Sequence, residues 1–137
     1  LMADLSVTAA NVLQSSGTTV SSGVSAVAIN RGQYIYIKTD GTIALADSNG
    51  TTPANTCAGV CIADVSTGQT CFYVASDAVF TPGFTAVAGD PIYLSNTAGG
   101  ATKTYADIAS GSTVIVLGGM LTSTTMNFDP QVFGVKP

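Results

Sequence analysis

From Val24 onward, Gly, Pro, Asn or Asp interrupts the chain every eight to twelve residues or so, and the runs between are short and rich in Val, Ile, Tyr and Thr. A helix needs a longer uninterrupted periodic stretch, so this punctuation restricts the chain to short strands in a sandwich or barrel. The spacing predicts strands over 24–29, 33–38, 42–46, 58–64, 70–75, 91–95, 113–117 and 120–128. Asp40-Gly41 has the residues of a tight hairpin turn. "DSNGTTPANT" reads as a loop, and one short helical turn is expected at 104–109. Pro91 falls at the first position of its strand, where a missing N–H is tolerated. Pro82-Gly83 reads as a turn and Asp129-Pro130 as the end of the last strand. The tail "QVFGVKP" keeps Val132, Phe133 and Val135 apolar, to pack on the domain or on a neighbour.

Two stretches repeat. Gly32-Gln33-Tyr34-Ile35-Tyr36-Ile37 aligns with Gly89-Asp90-Pro91-Ile92-Tyr93-Leu94, and Ala58-Gly59-Val60-Cys61-Ile62 has a weaker echo in Leu117-Gly118-Gly119-Met120-Leu121. Two similar half-units fit a pseudo-symmetric small barrel. Residues 1–23, "LMADLSVTAANVLQSSGTTVSSG", show neither alternation nor a helical stripe and read as an extended N-terminal arm. The expected organisation is therefore an arm over 1–23 and a single β-barrel domain over 24–137.

Composition narrows the chemistry. Of the 137 residues only 9% are charged and 46% are hydrophobic, and all eight acidic residues are Asp. With no histidine, the commonest general base and metal ligand is missing, and a Ser-His-Asp or Cys-His site is impossible within one chain. The aspartates mostly neighbour Gly, Ser, Asn or Pro, where they shape turns, so no enzyme activity and no catalytic residue is expected. Cys57, Cys61 and Cys71 lack the four-ligand pattern of a zinc site. A tight turn at 66–69 would put Cys71 opposite a residue near Asp64, too far from Cys61 to bridge. All three read as small buried side chains.

"DSNG" lacks the later oxygen ligands and the terminal Glu of a calcium loop, and "GGATKT" lacks the spaced first glycine of a phosphate loop. Neither metal nor cofactor is expected. The net charge of −4 and four scattered cations leave no basic stripe for nucleic acid. No apolar run approaches the ~20 residues of a membrane span, and the first residues lack the pattern of a signal peptide. The low charge leaves little electrostatic protection against association.

The succession "RGQYIYIKTDGTIALADS", "CAGVCIADVSTGQTCFYV", "AGDPIYLSNTAGG" and "STVIVLGGMLTS" resembles the head decoration, or capsid cement, proteins of tailed phages over about residues 24–128. The resemblance implies a small β-barrel or β-tulip that forms homotrimers on the outer surface of the virion capsid and clamps neighbouring copies of the major capsid protein. It also implies an arm that reaches the shell, with Leu5, Val7, Val12 and Leu13 as the candidate capsid-binding residues. On that view, deleting 1–23 would abolish head binding without unfolding the domain. The alternative is a phage fibre or receptor-binding β module, which is also β-rich and trimeric.

Overall fold

A computed structural model describes residues 4–137. Eleven short strands alternate with tight turns: β1 (Val12–Leu13), β2 (Ser21–Val24), β3 (Tyr34–Ile37), β4 (Ile43–Leu45), β5 (Gly59–Cys61), β6 (Thr70–Val74), β7 (Asp77–Pro82), β8 (Pro91–Leu94), β9 (Ala101–Thr102), β10 (Thr113–Met120) and β11 (Met126–Val135). They form two antiparallel sheets, one ordered β2-β6-β5-β3-β4 and the other β1-β7-β11-β10-β8-β9. The predicted barrel is thus corrected to a pair of packed sheets. Among the described residues, only an isolated parallel bridge, Ser25 to Ile43, ties the two edges of the five-stranded sheet, and one bridge does not close a barrel.

The sheets share one core. Tyr34, Val60 and Val74 from the five-stranded sheet meet Phe80, Ile92, Leu94, Ile115, Leu117, Met126 and Phe128 from the other. The period-2 alternation of a strand sends the intervening residues the other way. Ile35, Ile43, Cys61, Cys71 and Tyr73 therefore form a second cluster on the far face of the five-stranded sheet, capped by Ile29 and Val65. Phe128 joins the layers, with its ring 5.7 Å from Tyr34 and 5.6 Å from Phe80.

The sequence repeat has a structural counterpart. Starting from β2 and from β7, both sheets place their first, fifth, fourth, second and third strands side by side. Gly32 and Gly89 both take a positive φ, 95° and 93°, which a side chain would resist. The next side chain caps the same turn in each: Gln33 accepts from Asn30 N at 2.8 Å and Asp90 from Val87 N at 3.0 Å. Ile35 pairs with Gly59 as Ile92 pairs with Gly118. Both of those glycines are pressed by a neighbouring strand: an added Cβ would lie 2.5 Å from Val74 O or 1.9 Å from Asn127 O.

An extended arm is not confirmed. Val12 is fully buried in the shared core and pairs with Pro82, while Leu13 pairs with Thr81. Leu5 N donates to Ala101 O and Thr8 N to Gly83 O, both at 2.8 Å, so this segment runs from β9 to the end of β7. In the first unit the corresponding gap is spanned from within, by Ala26 N donating to Ile43 O at 2.8 Å.

Several predicted boundaries move. Strand 24–29 lies earlier, as β2, because residues 25–29 turn away to bridge Ile43 and Val65. No strand is predicted directly ahead of the Pro82-Gly83 turn, yet Asp77–Pro82 form β7, which includes the proline itself. The last strand begins after a turn in which Leu121 N donates to Thr125 O at 2.9 Å, and it runs through the supposed tail to Val135. The Asp40-Gly41 hairpin and the short turn at Tyr105–Asp107 fall where the sequence puts them.

Truncating Val12 to Ala should cost about 2 kcal/mol, the usual scale for losing buried methyls. Deleting 1–23 should then lower the melting temperature of the whole domain; an unchanged melt would show the segment to be dispensable. Tyr34 is buried with its hydroxyl unpartnered, and burial, with Cys57 nearby, raises its ionisation well above the ordinary phenol range. Tyr34→Phe should leave stability unchanged or raise it by about 1 kcal/mol in denaturant titration, since it removes an unpaired group.

Candidate functional site

The aspartates mostly hold turns. Asp40 accepts from Thr42 N and Oγ1 at 3.0 and 2.6 Å, which lowers its carboxyl below the usual range. Asp47 accepts from Asn49 N at 3.2 Å within the "DSNG" loop. Among the described residues no three His, Cys, Asp or Glu side chains gather as metal ligands. Gly99 and Gly100 lead into the two-residue β9, and only the three-residue turn Tyr105–Asp107 follows, so no helix N-terminus faces a phosphate there.

Asp77 departs from the turn pattern. It is buried at the start of β7 and accepts from Ser15 N at 2.7 Å, from Ser15 Oγ and from Val79 N at 3.1 Å. Burial alone would raise its carboxyl, but these donors favour the anion and bring it below the ordinary value. The adjacent Ser76 made it look like one more turn aspartate. Its actual work is to pin residues 15–18 to the second sheet.

The candidate capsid-binding residues separate into two kinds. Val12 is spent on the core and Leu5 is partly buried against it, whereas Val7 and Leu13 are exposed. Leu5 and Val7 border an open cleft of about 420 Å³ with Arg31, Gln33, Asp64 and Gly99. Arg31 donates from Nη2 to Val12 O, while its buried Nε has no partner.

Among the described residues, the two most exposed of the large apolar side chains, Phe133 and Val135, lie with Val132 on the C-terminal part of β11, in the segment whose sequence reads as an apolar tail. Val132, Phe133 and Val135 on β11 are 56%, 71% and 67% exposed. β7 covers β11 only as far as the Phe128–Asp77 pair, so among the described residues no strand flanks β11 on that edge beyond it. Two register shifts against β10, together with Pro130, spoil the free edge as a backbone template. What this end of β11 exposes is mainly side-chain surface.

Cys61 and Cys71 are buried free thiols as the sequence suggests, and Cys57 is half-buried, but the expected spacing of the first two is corrected. Cys61 pairs with Tyr73, one register step from the predicted alignment, so Cys71 falls on the same face as Cys61. The step arises because Val65 leaves the hairpin to bond Ile29 in both directions, at 2.9 and 3.0 Å. The two sulfurs are 3.6 Å apart, with Cys71 donating to Cys61; that contact lowers the Cys61 thiol and raises that of Cys71. Burial pushes the Cys57 thiol up to about 12.

Compared with protein-family models and with curated proteins, the chain matches none.

Asp77→Ala should cost about 1 kcal/mol, because it removes the acceptor of three partly buried hydrogen bonds, two of which tie Ser15 to β7. Since the folded carboxyl titrates below its unfolded value near 3.9, its contribution is full above that pH and fades as pH falls through the folded value. Acid unfolding of Asp77→Asn should therefore lose part of the wild-type pH dependence below about pH 4; identical acid limbs would contradict the assignment.

Proposed function

We propose that this protein is a capsid decoration protein, which seats as a homotrimer on the outer surface of a phage head and clamps neighbouring major capsid subunits. The observation that carries this reading is the apolar end of β11, whose Val132, Phe133 and Val135 project from a chain in which only 9% of residues are charged. Apolar side chains left exposed at one strand end of a chain this poor in charge suit a permanent protein contact better than a transient ligand. The resemblance of the chain's strand motifs, in their order, to those of cement proteins supports it. Val7 and Leu13 supply a second exposed apolar contact, while Leu5 and Val12 hold that segment in place. The function needs no catalytic group and no cofactor, only a rigid body with two adhesive regions.

The test is co-sedimentation with expanded heads of the cognate virus that lack the protein. Saturable binding at a fixed ratio to the major capsid subunit is the expected result. A Phe133→Asp, Val135→Asp double variant should bind at least about tenfold more weakly, a loss of about 1.4 kcal/mol, with its melting temperature nearly unchanged. Absence of binding to any head form would instead favour the fibre or receptor-binding module.

A further inference from the structure

Cys61 ends β5 and Cys71 is the second residue of β6, and the pairing of Cys61 with Tyr73 sets the two cysteines one diagonal step apart on one face. Both side chains are fully buried, in the cluster made with Ile29, Ile35, Ile43, Val65 and Tyr73. Their 3.6 Å separation is van der Waals contact. A disulfide needs about 2.05 Å, and because diagonal neighbours on adjacent strands stand about 7–8 Å apart, forming it takes side-chain rotation together with a shift of β5 against β6. Cys57 packs against the other core instead.

We propose that Cys61 and Cys71 are a redox pair: free thiols in a reducing compartment, and a disulfide stapling β5 to β6 in an oxidising one. The oxidant is a low-molecular-weight disulfide such as oxidised glutathione. A thiolate attacks one of its sulfurs, releasing one reduced thiol and leaving a mixed disulfide; the second cysteine displaces the other thiol as the Cys61–Cys71 bond forms. Two electrons pass to the oxidant, and the two thiol protons end on the two released thiols.

The fold provides a way in. Residues 62–69 between the two strands carry exposed Ala63, Asp64 and Ser66–Gln69, and Val65 is tied down by its two bonds to Ile29. Local opening of that connection uncovers Cys61 while the shared core between the sheets stays packed. Cys61 is the attacking sulfur, because the hydrogen bond from Cys71 favours its thiolate. The bond would close a short loop in the unfolded chain, which stabilises the hairpin.

To test this, the full chain is equilibrated with oxidised glutathione or with excess dithiothreitol, quenched in acid, unfolded in guanidinium and alkylated. Three cysteines should be alkylated after the reductant and one after the oxidant. The oxidised form should melt several degrees higher, and dithiothreitol should reverse the shift. In Cys57→Ser, cleavage before aspartates should yield the 47–63 fragment joined to the 64–76 fragment, lighter than their sum by two hydrogens. Three alkylated cysteines after oxidation, a bridge through Cys57, or a persistent glutathione adduct would each overturn the proposal.

Discussion

The ring of Phe128, set between Tyr34 and Phe80, is where the two sheets become one body. Tyr34 belongs to the five-stranded sheet, while Phe80 and Phe128 lie on neighbouring strands of the other. With strands as short as two residues, no ladder here is long enough to stand alone. Stability has to come from layers, and the aromatic contact lets the alternating residues of both sheets bury themselves against one another.

Seen from that core, the molecule is one strand arrangement used twice. The second unit differs in how it is completed. The first ties β2 to β4 through Ser25 and Ala26, whereas the second borrows residues 5–13 from ahead of the first unit. Asp77 secures the borrowed segment by gripping Ser15 at the other end of β7. Residues 5–15 are thereby part of the fold, and of their larger apolar side chains Val7 and Leu13 still face outward.

Much of this was legible in the residues. Positive-φ glycines, hairpin dipeptides and β-branched runs act locally, so β3, β4, β6 and β8 fall close to where the pattern puts them. The duplicated Gly-led motif showed for the same reason. What depended on distant partners did not show. Residues 12–13 look like irregular chain until β7 lies beside them, and the Cys61–Cys71 contact depends on a register step set by Ile29, more than thirty residues upstream of either sulfur. Val132 and Phe133 were read as apolar, but their exposure depends on where β7 stops.

The proposed function rests on what these two units leave uncovered. A chain this poor in charge has few means of keeping apolar side chains soluble, yet it presents three on one strand end. The most direct measurement is hydrogen exchange of the protein free and bound to expanded heads, followed by mass spectrometry of peptides spanning β11. Docking through this strand predicts new protection over residues 129–136 in the bound state, with the already protected core strands unchanged. Equal exchange there in both states, with the protein still attached, would contradict β11 as the capsid-facing surface.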